Sequence, residues 1–271
     1  MNSTTVLLKS ADTALIAKWV GRAGISALRR GAQAAADLAV VGVRSGPPMR
    51  WRNGALSIPL GEGEVVVLEK VDGAPLTAEE TDQDAWGSNL AAIHAASRRP
   101  AGPIDDFFAA VGLSAEPMSP EPWIDAALVS TTSAVRSMPE LSWVQLHTDP
   151  APEAFLRDAA GVVGVVDWTG SVPGPALYDV ASAVMYAGGE AKAARLLHSY
   201  SRTIGSAGVV NRDDLREFAR LRAVVQAVYF SHRLSSRDLT GVASQRDNET
   251  GLEDARRMLD DLAVLRDERV G

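Results

Sequence analysis

The chain has 271 residues, with 27 Lys or Arg against 34 Asp or Glu, a net charge of −7. That balance argues against a generic nucleic-acid surface, which needs clustered basic groups to neutralise phosphates, and the absence of cysteine excludes disulfides, thiolate catalysis and cysteine-ligated zinc. No apolar run reaches the roughly 20 residues of a membrane span and no charged-then-apolar leader opens the chain, so a cytoplasmic protein with no membrane partner is expected.

The first fifth reads as strands around one helix. TVLLK (5–9) and ALIAKWV (14–20) are short apolar runs, and SADT (10–13) between them is turn chemistry. Residues 25–41 are Ala-rich, with Ile25, Leu28, Ala32 and Ala35 at helical spacing. Gly46-Pro47-Pro48 stops that segment. Asn53-Gly54 is a strong hairpin signal, and EVVVLEKV (64–71) is a buried strand. Asp72-Gly73-Ala74-Pro75 is a turn and a boundary: residues 1–71 form a small strand-rich lobe and 72–271 a larger helical one.

Beyond residue 77 the period becomes helical. Trp86, Leu90, Ile93 and Ser97 share a face. Pro/Gly-rich links at 100–103 and 117–122 separate further helices, and 176–188, 190–205, 212–235 and 250–268 are helical. WVQLHT (143–148) and VVGVVDW (162–168) interrupt this pattern as two strands flanking a polar loop.

Each of those strands delivers an acid at its end, Asp149 and Asp167. A carboxylate at the end of an apolar strand is held on rigid scaffold beside solvent, as a general base or metal ligand requires. Paired as a hairpin, the two strands would bring both acids together. Either acid alone is ordinary turn chemistry. The competing chemistries lack their motifs: there is no G-x-S-x-G elbow, no G-x-G-x-x-G after a strand, and His94, His147, His198 and His232 have no zinc spacing.

The ordered set resembles the aminoglycoside phosphotransferase family, similar in fold to choline kinases and protein kinases. Leu146-His147-Thr148-Asp149-Pro150 resembles its H-G-D segment, Gly164-Val165-Val166-Asp167-Trp168 its G-V-I-D-W segment, and Gly174-Pro175-Ala176-Leu177-Tyr178-Asp179-Val180-Ala181 its G-D-P-x-Y-D-L-A segment. Upstream, 67–76 resembles the strand and hinge joining the lobes, and Leu90-Ala91-Ala92-Ile93-His94 the L-A-x-L-H helix. The resemblance implies an α+β, bilobal, protein-kinase-like fold and a kinase using ATP or GTP and Mg²⁺ on a small-molecule hydroxyl substrate. It implies Asp149 as catalytic acceptor of the hydroxyl proton, Lys18 on the phosphates, and backbone groups of Glu69 and Val71 on the base. Asp167 would be a metal ligand, and Asp179 a brace under the catalytic loop. His147 and His94 are expected to pack. Only 11 residues separate Asp167 from Asp179, which leaves no activation-loop-like stretch and argues against protein substrates.

Three departures stand out. The family's second metal ligand, an Asn, is replaced by Ala154, with Glu153 next to it as a substitute ligand. Gly31 falls where the helix acid that pairs with the lysine belongs, leaving Gln33 to orient Lys18. The phosphate-covering loop is short and has no glycine, and Lys9 competes with Lys18. These losses define the alternative, a catalytically inactive, pseudokinase-like binding module. Asp213, Asp214, Glu217, Glu253 and Asp254 read as a solvated helix face rather than a cation pocket, and Trp123, Tyr229 and Phe230 as core.

Overall fold

A computed structural model describes residues 3–9, 14–113, 121–205, 210–239 and 242–267. The SADT turn and residues 117–120 of the second link lie outside them. β1 (Ser3–Lys9) and β2 (Ala14–Gly21) pair antiparallel, with Lys9 opposite Ala14. With β3 (Ser57–Leu60) and β4 (Gly63–Glu69) they form one antiparallel sheet, in the order β1-β2-β4-β3.

The Asn53-Gly54 signal marks a real turn but not a hairpin. Gly54 has φ +82°, and its N–H donates to the Trp51 carbonyl at 2.8 Å. The flanks share one bond, Trp51 N–H to the Ala55 carbonyl at 2.9 Å, and beyond it both pair with β4: Met49 N–H donates to Val67 O at 2.7 Å, and Ser57 stands opposite Val66. The hairpin lies one step later, where Leu60 faces Gly63 across Gly61-Glu62 and Gly61 supplies the positive φ.

Helix α1 (Ile25–Val40) follows β2 and buries Leu28, Gly31, Ala32, Ala35 and Leu38. Its small side chains allow close approach to the short 3-10 turn Trp168–Gly170. β5 (Ala74–Pro75) leads into α2 (Glu80–Ala96), α3 (Ile104–Ala110) and α4 (Pro122–Arg136). Then come β6 (Trp143–Leu146), β7 (Phe155–Arg157), β8 (Val163–Val165) and β9 (Val172–Pro175). The remainder is α5 (Ala176–Tyr186), α6 (Ala194–Ile204), α7 (Arg212–Ser236) and α8 (Gln245–Asp267). The fold is thus α+β, with a small antiparallel sheet first and a helical part after it.

The last two helices start at side-chain hydrogen bonds. Asn211 accepts the Asp213 N–H at 2.9 Å and starts α7. α8 begins before the expected 250 because Asp247 accepts the N–H groups of Ala243 and Ser244, both at 2.9 Å. The main core gathers Trp86, Leu90, Phe107, Phe155, Phe218 and Leu221, all fully buried. A separate small cluster of Val20, Leu28, Ala32 and Val66 sits between α1 and the sheet. α2 lies against α6 so closely that a β-carbon on Gly87 would stand 2.3 Å from the Leu196 carbonyl oxygen.

One expectation is corrected. The strands that precede Asp149 and Asp167 do not pair with each other. β6 pairs with β9, and β8 pairs with β7. The polar stretch between them supplies its own strand, 155–157, which takes the place β6 would have had.

Candidate active site

Asp149 and Asp167 are brought together by cross-links between their loops rather than by a shared ladder. His147 Nε2 lies 2.8 Å from the Val166 carbonyl oxygen and donates to it. Asp179 is completely buried at the start of α5. Its two oxygens accept the backbone N–H groups of His147 at 2.7 Å and Thr148 at 2.8 Å. His94 Nε2 sits 3.2 Å from the same carboxylate, and its Nδ1 sits 2.8 Å from the Tyr200 hydroxyl. Both histidines are therefore engaged in the scaffold, as is Asp179. Thr148, at the family's Gly position, has φ +73°, and Asp167 has φ +67°. A left-handed Thr is sterically unfavourable because its β-carbon is branched.

The Asp149 carboxylate is 63% exposed. One of its oxygens, Oδ1, accepts from the Tyr186 hydroxyl and from Arg222 Nη2, the latter at 3.3 Å. Arg222 Nε also donates to Ser182 Oγ at 3.2 Å. Burial, then the Asp149 charge, push the Tyr186 hydroxyl above its ordinary value, so it stays protonated and donates. Burial works against the Arg222 charge, but the neighbouring Tyr178, Tyr186 and Asp149 outweigh it and raise its value. Sequence reasoning singled out neither residue; they fall inside the helical stretches 176–188 and 212–235. The available signal was Arg222 itself, a cation flanked by Leu221 and Ala223 in the apolar stripe of α7.

Asp167 receives the Lys18 ammonium and the Thr169 hydroxyl, the latter at 3.0 Å. Burial alone would raise its carboxyl, but the charge and hydrogen bond of Lys18, with the Thr169 hydroxyl, hold it below the ordinary range. Lys18 also donates to Thr169 Oγ1 at 2.6 Å. Lys18, not the exposed Lys9, is thus the lysine that meets Asp167. Gln33 does not orient it: its amide donates to Asp37 on the surface at 2.7 Å.

Lys18 and Asp167 border a cavity of about 330 Å³, walled by Ile16, Val71 and Leu156 and edged by Glu69. The Glu69 N–H is engaged by the Pro47 carbonyl at 2.9 Å. Val71 N–H makes no backbone hydrogen bond among the described residues. A larger, more open groove of about 660 Å³ between α2 and α6 contains none of these groups.

Glu153 is exposed on the 3-10 turn Pro152–Ala154. Phe155 pairs with Val165 and the Val166 N–H donates to the Ala154 carbonyl at 2.9 Å, where the ladder ends because Pro152–Ala154 is a 3-10 turn; Glu153 does not line the cavity that Lys18 and Asp167 border. Ala154 itself is buried in the core. Among the described residues no group of three His, Asp or Glu side chains forms a metal cage. One or two carboxylates beside a phosphate site fit Mg²⁺, which keeps waters and phosphate oxygens in its shell. Three of the five helix acids are paired locally, Asp213 with Arg216, Glu217 with Arg220 and Asp254 with Arg257. Trp123 lies under Arg256, and Tyr229, expected in the core, is 44% exposed and stacks on Arg233.

The fold is similar to that of known proteins. The choline kinase LicA of Streptococcus pneumoniae superposes with a TM-score of 0.69 at 15% identity, over 95% of this chain and 89% of that one. Amicoumacin kinase hAmiN, solved with AMP-PNP, Ca²⁺ and Ami, gives 0.71 at 12% identity, over 96% and 86%. Spectinomycin phosphotransferase APH(9)-Ia, solved with ADP and spectinomycin, gives 0.64 at 13%, over 97% and 90%. No curated protein matches the sequence. Residues 27–222, more than half of the chain, match the phosphotransferase enzyme family, and the chain belongs to that family of kinases acting on small-molecule hydroxyl groups.

Proposed function

We propose that this chain is an active small-molecule kinase. It moves the γ-phosphoryl group of ATP or GTP, with Mg²⁺, onto a hydroxyl of an antibiotic, aminoglycoside-like or otherwise, or of a related metabolite. Residues 1–71 form the nucleotide lobe and 72–271 the lobe with the catalytic loop and acceptor pocket. The setting is cytoplasmic; among the described residues no helix is long and apolar enough to cross a membrane. The observation that supports this reading most is that Lys18 and Asp167 line one cavity while the loop of Asp149 is tied beside Asp167 by the His147–Val166 hydrogen bond and braced by Asp179. Phosphoryl transfer asks for such positioned charges more than for a covalent nucleophile.

In this reading Asp149 offers Oδ2, the oxygen not held by Tyr186 and Arg222, to the acceptor hydroxyl and takes its proton. A bond forms between the acceptor oxygen and the γ-phosphorus. The bond from that phosphorus to the bridging oxygen breaks, and its electron pair leaves with the nucleoside diphosphate. Lys18 holds the α- and β-phosphates, the backbone at Glu69 and Val71 faces the base, and Asp167 and Glu153 hold the metal. Mg²⁺, when bound, neutralises charge on the phosphate oxygens.

The buried Ala154, which offers no ligand where the family has Asn, favours a second reading as a catalytically inactive binding module. One experiment separates the two. Thermal unfolding is followed with ATP and GTP, each with and without Mg²⁺, for the wild type and Asp149→Ala. Nucleotide at 100 times its Kd stabilises by about 2.7 kcal/mol, a rise of several degrees for a chain of this size. An active kinase gives a Mg²⁺-dependent rise in both proteins and acceptor phosphorylation only in the wild type. No rise with either nucleotide rejects the proposal. Turnover retained by Asp149→Ala rejects the role of Asp149.

A further inference from the structure

Lys18 has no carboxylate from α1, and the packing shows why none can reach it. A β-carbon on Gly31 would lie 2.5 Å from the Trp168 carbonyl oxygen and 2.8 Å from Thr169 Cα. Both neighbours are backbone, so neither can rotate away, and α1 rests directly on the turn that follows Asp167. What Lys18 meets there is a hydroxyl. Thr169 Oγ1 accepts from Lys18 Nζ at 2.6 Å and donates to Asp167 Oδ1 at 3.0 Å. The Lys18 side chain is 11% exposed, and a buried ammonium needs every acceptor it has.

We propose that Thr169 is the positioning residue for Lys18, replacing the missing helix acid, so that the turn Trp168–Gly170 carries the lysine anchor directly after the Asp167 carboxylate. Resting on the nucleotide-site reading above, this inference has a specific consequence. Asp167 Oδ1 is the oxygen Lys18 holds, and it is not equally available to Lys18 and to a divalent cation. When Asp167 faces a cation, Thr169 is the acceptor left to keep Lys18 in register. The anchor is neutral, so it competes with neither the phosphates nor the cation for charge. It also sits on the floor of the cleft instead of on a helix, so Lys18 is positioned without any movement of α1.

The test uses the full chain as Thr169→Val, which keeps the shape and removes the hydroxyl, with Thr169→Ser as the conservative rescue. Thr169→Ala serves if the valine variant does not fold. Two quantities are measured. The first is the affinity for ATP and GTP with Mg²⁺ and with chelator. A hydrogen bond to a charged group predicts about a tenfold loss with Mg²⁺. The loss with chelator stays below about twofold, because Asp167 still holds Lys18 there, and Ser restores both. The second needs no nucleotide: acylation of Lys18 by an amine-reactive ester, read by mass spectrometry against exposed Lys192. With Mg²⁺ present, so that Asp167 faces the cation, it rises severalfold in Thr169→Val and returns to the wild-type level in Thr169→Ser; with chelator it stays near the wild-type level, because Asp167 still holds Lys18. Wild-type labelling together with wild-type affinity in Thr169→Val overturns the proposal, as does an equal loss with and without Mg²⁺. If the wild type binds no nucleotide while Lys18 protection depends on the Thr169 hydroxyl, the positioning role stands and the kinase reading fails.

Discussion

Thr148 shows how a single residue carries the constraints of this site. Its φ of +73° is set by the two N–H groups, its own and that of His147, which both point into the Asp179 carboxylate. Glycine adopts that conformation freely, whereas a β-branched residue is strained there by about 1 kcal/mol or more. Thr148→Gly is therefore expected to raise the stability of the fold by about 1 kcal/mol, seen as a higher urea midpoint at unchanged slope. An unchanged or lower midpoint shows that the Thr148 side chain repays its strain through its packing on Gly170, whose β-carbon position is 2.4 Å from Thr148 Oγ1. The H-T-D order was visible in the sequence; the strain was not, because φ follows from where Asp179 sits.

At the scale of elements, the contact of α1 with the Trp168–Gly170 turn decides the geometry of the cleft. Gly31 lies in the helix interior, where glycine is intrinsically unfavourable by about 1 kcal/mol relative to Ala. The close backbone contact reverses that preference. Gly31→Ala is expected to lose about 1–3 kcal/mol through overpacking, with a lower thermal midpoint and weaker nucleotide binding, since the displaced turn carries Asp167 and Thr169. A gain in stability would mean that α1 can lift off the turn without penalty. The same logic applies where Gly87 meets the Leu196 carbonyl between α2 and α6. Helical periodicity identified both helices, but which glycine marks a crossing depends on the partner surface, and no spacing along one helix encodes it.

For the whole molecule, acid stability reports the carboxylates that link distant parts. Asp82 accepts from the Thr77 N–H and hydroxyl, both at 2.9 Å, and from Arg157 at 2.7 Å, tying the start of α2 to β7. The Thr77 N–H is the main cause that holds its carboxyl below its ordinary value of 3.8. Asp158, held by Arg44, and Asp167 are lowered as well. Where the folded value is depressed, the unfolded chain binds more protons in acid, so the stabilisation is complete well above 3.8 and is lost as pH falls through the depressed values. Asp82→Asn should be less stable than the wild type by about 1–2 kcal/mol at pH 7, with the gap closing below about pH 4. Denaturant melts of both proteins across pH 3–7 check this. A gap that stays constant into acid would show that the amide and the carboxylate serve Thr77 equally.

Composition and periodicity were enough to identify the strand-rich beginning, the Ala-rich α1 and the helical remainder, because these depend on neighbours within a few turns of chain, while the order of the acidic motifs was legible through the family resemblance. The ends of β6 and β8 could be read as sites for acids for the same reason. Which strands pair was not local information: β6 joins β9, twenty-odd residues on, and β8 joins β7. Nor were the partners of the functional groups legible. Tyr186 and Arg222 reach Asp149 from two different helices, and Thr169 reaches Lys18 from 151 residues further along the chain. A hydrogen bond is satisfied by proximity in space, and long-range proximity is produced by the packing of helices and sheets against one another.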